Sequence, residues 1–239
     1  TPGILHFGVG AFHRSHQALT IDRLLEKGLA NDWGIIGVGL LAGDSKMRDA
    51  LNPQDCLYTL ITKHSDGKVD YQVIGSIISY LFAPDNPAKV IEAICDPAIR
   101  IISLTITEGG YSFDRVTGEF DPTTTSVAHD LKDSSAPVSA FGFIYEGLKK
   151  RKELGLSAPT IQSCDNIQGN GDVAKKMMVA FAKLKDPQFA DWMEANVAFP
   201  NSMVDRITPQ TAPGDIELAT KALGMEDHWP VPCEPFFQW

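Results

Sequence analysis

The sequence predicts an α/β protein built on a mainly parallel, doubly wound sheet with helices on both faces. Three observations lead there. Short apolar runs alternate with longer amphipathic stretches along most of the chain, the order expected of repeated strand–helix units. The first run, Ile4 to Gly8, carries no formal charge and reads as a strand buried on both faces. It passes directly into a glycine-containing turn, Gly8-Val9-Gly10, and then into a helical pattern.

That helix is predicted from about His13 to Lys27, with Leu19, Leu24 and Leu25 on one side and charges on the other, ending at Gly28 as a C-cap. Trp33 to Gly39 reads as the second strand. From Cys56 to about Leu81 the pattern changes: Leu57–Thr62 and Val69–Val73 flank Asp66-Gly67, which predicts an antiparallel hairpin excursion. A helix at Pro87–Ile94 leads to a buried strand at Ile101–Thr105. Helices are expected at Val127–Leu131 and Ala140–Leu154, a strand at Thr160–Cys164, and a helix at Asp172–Leu184. After Pro200 prolines become dense (Pro209, Pro213, Pro230, Pro232, Pro235), so about 200–239 is expected to be an extension wrapping over a surface. Residues 1–239 read as one domain without internal repeats.

Composition narrows the function classes. At 239 residues, 44% hydrophobic and 21% charged, the chain has the balance of a soluble globular protein able to bury a substantial core. The formal net charge of −9 argues against a nucleic-acid partner, which would need clustered Lys and Arg. The cysteines (Cys56, Cys95, Cys164, Cys233) are scattered without metal-ligand spacing and read as reduced, cytosolic thiols. No apolar run approaches the roughly 20 residues of a membrane span. The chain starts at Thr1 rather than Met and stops in an aromatic run, so it reads as cut from a longer protein, and a targeting segment upstream is left open.

Gly8-Val9-Gly10-Ala11-Phe12-His13-Arg14 sits where a strand meets a helix. Glycines there let the backbone turn tightly and approach a pyrophosphate, with helix N–H groups facing the anion. His13 stands where the usual G-x-G-x-x-G pattern has its third glycine, so on spacing the turn is either a dinucleotide cradle or a plain tight turn. Arg14 fits a phosphate partner or a solvated surface charge. His13 and His16 have a metal-compatible spacing but no third ligand in view, which favours capping or packing. Asp44, just beyond the second strand, fits a carboxylate that binds an adenosine ribose and repels a 2′-phosphate, or the N-cap of the next helix.

Several strings taken together resemble the mannitol 2-dehydrogenase family of polyol-specific long-chain dehydrogenases. They are Gly8–Ala18 (GVGAFHRSHQA), GVGL before Asp44, Gln54–Leu60 (QDCLYTL), Thr105–Tyr111 (TITEGGY), Ser163–Gly171 (SCDNIQGNG), Met203–Pro209 (MVDRITP) and the closing Cys233–Trp239 (CEPFFQW). The resemblance implies a Rossmann-like N-terminal domain, NAD as cofactor, no metal, and oxidation of a sugar alcohol to a ketose or the reverse. It matches Gly8, Gly10, Phe12, His13 and Arg14 to the cofactor loop and Asp44 to the carboxylate that favours NAD. Asn166 matches an asparagine at the alkoxide oxygen, Asp205 a carboxylate near the substrate, and Glu108 a substrate-side position past a strand's carboxyl end. The family's general base is a lysine in a K-x4-N-x2-H pattern of a helical C-terminal domain, and no lysine here begins that pattern. The resemblance further implies a cytoplasmic monomer whose partner is a small polyol or ketose, with no membrane. Mannitol and fructose are the default pair. Arabinitol, a sugar acid (a fructuronate or tagaturonate reductase), and a non-catalytic nicotinamide-binding module stay open. A methyltransferase or epimerase on the same scaffold would require another cofactor.

Overall fold

A computed structural model describes residues 1–114 and 116–239. Its strands are β1 (Pro2–Phe7), β2 (Gly34–Gly39), β3 (Tyr58–Lys63), β4 (Val69–Ile74), β5 (Ile77–Phe82), β6 (Ile101–Leu104), β7 (Thr160–Ser163) and β8 (Val231–Cys233). Five pair in parallel in the order β5-β2-β1-β6-β7. Counted along this sheet alone, the order is third-second-first-fourth-fifth, that of a doubly wound nucleotide-binding sheet. The order reverses at β1, and the connections leaving β1 and β6 diverge to opposite sides, opening a crevice beyond their carboxyl ends.

The helices are α1 (Ala11–Ser15), α2 (Gln17–Glu26), α3 (Ser45–Leu51), α4 (Pro87–Ile94), α5 (Thr107–Gly110), α6 (Thr125–Lys132), α7 (Ala140–Glu153), α8 (Asn170–Lys185), α9 (Pro187–Asn196) and α10 (Pro213–Leu223). Alternate residues of a strand face opposite ways, so β1 feeds two cores. Leu5 and Phe7 join Val90 and Ile94 of α4, Ile144 and Leu148 of α7, and Met178 of α8. Ile4 joins Leu19 of α2, Ile35 of β2, Met47 of α3, and Tyr58 and Leu60 of β3. Local chemistry sets several boundaries. The Asn86 side chain accepts the Lys89 N–H at 3.2 Å and Pro87 opens α4. Ser139 caps α7 by accepting the Gly142 N–H at 3.1 Å. No helix among the described residues is long and apolar enough to cross a membrane.

Three expectations are corrected. The helix expected over His13–Lys27 is two helices broken at His16 (φ −117°, ψ −87°). Tertiary contacts prevail over helical continuity there: the His16 ring stacks on Phe12 at 4.8 Å and Phe237 at 4.4 Å, and Nε2 donates to Gln238 O at 2.7 Å. The hairpin β3–β4 forms around Gly67 (φ +88°), but in a separate sheet of order β4-β3-β8. The run after it, which the sequence pattern assigned to the hairpin region, is β5, an edge strand of the main sheet. The proline-rich end does more than cover a surface, since it forms α10 and adds β8 in parallel to β3. Pro232 pairs with Ile61 from the sheet's edge, where a missing N–H is tolerated.

Candidate functional site

Gly8 leaves β1 with φ +92°, a conformation open to glycine. A Cβ there would stand 2.1 Å from Thr105 O, so the position is closed to other residues on two counts. Its N–H donates to Val38 O at 3.0 Å, and its carbonyl accepts the Gly10 N–H and the Thr105 hydroxyl, each at 2.7 Å. The turn is thus fixed from both neighbouring strands. Gly10 is exposed, and a Cβ on it would meet nothing nearer than Gly8 O at 3.8 Å, so that side of the turn lies open to an approaching group.

The turn borders a cavity of about 480 Å³ at the point where the strand order reverses. Gly8 and Gly10 line it from β1, Leu41 and Asp44 from β2, and Thr105 to Thr107 from β6. Asp44 is half-buried and its Oδ2 accepts the Leu40 and Leu41 N–H groups at 2.8 Å each. It occupies the N-cap position of α3 but makes no side-chain cap bond there, which overturns the helix-cap reading. The carboxylate instead braces the loop after β2, and Oδ1 carries no hydrogen bond among the described residues.

Behind the turn His13 is 1% exposed and stacks on His6 with ring centroids 3.4 Å apart. The packing alternative therefore holds for His13, at the place where other folds of this kind put glycine against the first strand. His6 is bracketed by Ser103 Oγ at 2.8 Å from Nδ1 and Thr105 Oγ1 at 2.9 Å from Nε2. Burial pushes His6 down to about 3 and holds His13 well below the usual imidazole range, so both rings are neutral. Phe12 is partly buried against His16.

Arg14 is 0% exposed, which corrects its reading as a solvated surface charge. Its Nη1 donates to Trp229 O at 2.5 Å, and the guanidinium lies 5.2 Å from the Tyr58 ring centre and 5.9 Å from that of Trp229. Burial lowers it to about 10, so it stays charged at neutral pH. It lines a further cavity of about 400 Å³ with Gly10, Asp44, Met47 and Thr211. Its role in the fold is to tie α1 to the returning C-terminal segment, and it shares a cavity lining with Gly10 of the glycine turn.

Thr107 borders a third cavity as well, about 440 Å³ in volume, which Glu108, Asp165, Asn166 and Ile167 line. The structure so brings Glu108 and Asn166 together and sets them next to the Gly8–Gly10 cavity. Asn166 is exposed and does not cap α8, which begins at Asn170 after Gly169. The structural asparagine is Asn170: its amide donates to Asp165 O at 3.0 Å and Ser202 O at 2.8 Å. Asp205 lines none of these three cavities. It is exposed, and its backbone exchanges 3.0 Å hydrogen bonds with Gln238. An Asp205–Arg206 ion pair is not formed among the described residues, because Arg206 turns inward to Glu234 O (3.0 and 2.8 Å) and Ser15 O (2.5 Å). Sequence reasoning missed Thr105, His6, Tyr111 and Asp165. A polar residue directly after an apolar strand was the signal available for Thr105.

No group of three or more His, Cys, Asp or Glu among the described residues forms a metal-binding cluster. A doubly wound sheet with a glycine turn at its switch point and a carboxylate after the second strand defines a dinucleotide-binding protein of the Rossmann class. The chain belongs to the mannitol dehydrogenase family: the family described as the mannitol dehydrogenase Rossmann domain matches residues 2–239. A mannitol 2-dehydrogenase of Aspergillus fumigatus is 48% identical over 239 residues, covering 99% of this chain and 47% of the relative. A polyol:NADP oxidoreductase of Gluconobacter oxydans is 44% identical over 240 residues, covering 100% of this chain and 49% of the relative. The solved ternary complex of Pseudomonas fluorescens mannitol 2-dehydrogenase with NAD and D-mannitol superposes with a TM-score of 0.96 at 46% identity, covering 100% of this chain and 48% of that one. The chain spans about half the length of the curated relatives it matches.

Proposed function

We propose that this chain is the NAD(H)-binding part of a metal-independent polyol dehydrogenase that interconverts a sugar alcohol and a ketose, with mannitol and fructose as the pair. The observation that carries the reading is the junction of two cavities at Thr107: one bordered by the glycine turn and Asp44, the other by Glu108 and Asn166. The residues fit the dinucleotide. The open side of Gly10 receives the pyrophosphate, Asp44 Oδ1 is available to ribose hydroxyls, and the buried Arg14 adds positive potential. Phe12 and His13 shape the turn from behind.

Bound NAD+ supplies the hydride acceptor. The chain's own part is to stabilise the substrate. As the carbinol O–H gives up its proton ahead of hydride loss, the negative charge on its oxygen is met by the Asn166 amide N–H, which is poorly placed for a structural role and exposed to the cavity. Glu108 lines the same space and is suited to moving a proton or orienting a hydroxyl. Asp205, at the edge formed with Gln238, acts on substrate or on catalytic groups contributed from outside these residues. The lysine base lies outside the 239 residues, so this chain alone binds cofactor and turns over little or no polyol. Its scattered free thiols, three of them buried, suit a cytoplasmic setting, and it acts as a monomer.

The test is an assay of the complete protein with NAD+ and mannitol, following NADH formation, beside the same assay on the 239-residue chain. Fructose and NADH from the complete protein, with none from the chain, is the expected result. Mannitol oxidation by the chain at the rate of the complete protein contradicts the division of labour. Reduction of fructuronate or tagaturonate in place of mannitol oxidation moves the activity to a sugar acid. NADH binding without turnover of any of these by the complete protein leaves a nicotinamide-binding module.

A further inference from the structure

We infer that Asp165 is a positioning residue: its carboxylate holds the Thr107 turn, and with it Glu108, in register with Asn166. This rests on the reading of Glu108 and Asn166 as substrate-side residues. Asp165 follows β7 and is 7% exposed. Its Oδ1 accepts the Thr107 N–H at 2.8 Å, and Oδ2 accepts the Ile106 N–H at 3.1 Å and the Tyr111 hydroxyl at 2.8 Å. A carboxylate only accepts, and three donors converge on this one, which is how a buried charge is made tolerable. Tyr111 is 0% exposed, and its oxygen also lies 2.7 Å from Ser163 Oγ, so the brace is itself anchored in the core.

The turn needs a brace. Thr107 has φ +61°, a left-handed conformation that a β-branched residue rarely adopts and that persists only where its surroundings over-determine it. Asp165 ties down the two consecutive backbone N–H groups entering that turn. Glu108 is the next residue after Thr107 and Asn166 the next after Asp165, so one carboxylate fixes the relative placement of both. The same segment starts at Thr105, whose hydroxyl holds the Gly8 carbonyl at 2.7 Å. Residues 105–107 are therefore a short bridge from the glycine turn to the substrate-side cavity, and Asp165 anchors its far end.

Two variants that delete different bonds from the same carboxylate test this. In Asp165→Asn the amide NH2 must replace either Oδ1 or Oδ2, so one of the two turn N–H groups loses its acceptor whichever way the amide lies. In Tyr111→Phe both turn bonds survive and only the phenol donor is lost. In the complete protein, Asp165→Asn should lower kcat for mannitol oxidation about 10- to 100-fold, the cost of misplacing a reacting group, with KM for NAD+ little changed. Tyr111→Phe, which removes an anchor of the carboxylate but neither turn bond, should lower kcat clearly less than Asp165→Asn does. Hydrogen exchange of the 239-residue chain should show the Ile106 and Thr107 amides protected, and less so in Asp165→Asn. Equal kcat values for the two variants, each corrected for folded fraction, overturn the inference. If Asp165→Asn does not fold, Ile106 and Thr107 amides exchanging as fast as exposed loop amides in the unaltered chain overturn it. Exchange reports on the brace even if the complete protein proves to oxidise no polyol, so failure of the functional reading is separable from failure of this one.

Discussion

Asparagine at position 44 would separate the loop brace the structure gives Asp44 from the cofactor preference proposed for it. The amide keeps a carbonyl oxygen where Oδ2 accepts the Leu40 and Leu41 N–H groups at 2.8 Å, so the loop after β2 should hold. Stability should stay within about 0.5 kcal/mol of the parent, as for a half-exposed substitution that breaks no buried contact. Cofactor preference should change. A 2′-phosphate about 5 Å from the carboxylate is repelled by about 1 to 3 kcal/mol per unit charge, as the effective dielectric runs from ~80 to ~20. That corresponds to a factor of about 5 to 150 in relative affinity. Since Asp44 is only half-buried, the lower part of that range applies in moderate salt and the upper part in dilute buffer. The assay is titration of the parent and Asp44→Asn with NADH and NADPH, read by tryptophan fluorescence at two ionic strengths. Asp44→Ala serves as contrast: it strips the acceptor from both N–H groups and should cost about 1 to 3 kcal/mol of stability as well. An NADH-to-NADPH affinity ratio that Asp44→Asn leaves untouched would refute the reasoning and reduce Asp44 to a loop brace.

Gly8→Ala should lose about 2 to 4 kcal/mol in urea unfolding, from the positive φ and the contact with Thr105 O together. Gly10→Ala, whose Cβ meets nothing within 3.4 Å, should unfold like the parent yet bind NADH more weakly. Arg14→Ala should cost about 2 to 4 kcal/mol through lost packing, and Arg14→Met should recover most of it, because the stem fills the space between Tyr58 and Trp229. A stability loss below about 1 kcal/mol for the alanine change would leave the burial of Arg14 without consequence. Acid should weaken the fold well above the carboxylate range. His6 titrates at about 3 folded and His13 well below its unfolded value, so between pH 6.5 and their folded values the unfolded chain binds more protons. Stability therefore falls as pH falls, by about 1.4 kcal/mol per histidine at pH 5.5. Urea midpoints measured from pH 7.5 to 5.5 check this. A flat profile would mean that the stacked pair is solvated or protonated in the native state.

How much of this was legible in the sequence depends on whether a residue's neighbours were local. Asn86-Pro87 and Ser139 carried their helix starts in the chain itself, and Gly67 marked its hairpin turn. Gly8 and Asp44 were readable because a strand–turn–helix order repeats one physical solution. The break at His16 was not, since it depends on Phe237 and Gln238, more than 200 residues away in sequence. Arg14 looked like a surface charge because nothing near it in sequence announces Trp229 above it. β5 and β8 were obscured for the same reason: each lies in a run whose pairing partner is set by the returning chain, not by its own pattern. At the proposed substrate side, Glu108 and Asn166 came from motif strings, while the brace between them, Asp165 with Tyr111, is a purely tertiary feature.

The central claim is that the crevice at the switch point takes NAD(H). Calorimetric titration of the 239-residue chain with NADH tests it most directly. One molecule bound per chain, with a Kd of about 100 μM or tighter, roughly 5 kcal/mol or more of binding free energy, and weakened by Gly10→Ala, is the predicted result. A flat titration with NADH from a chain that is folded by circular dichroism would contradict it.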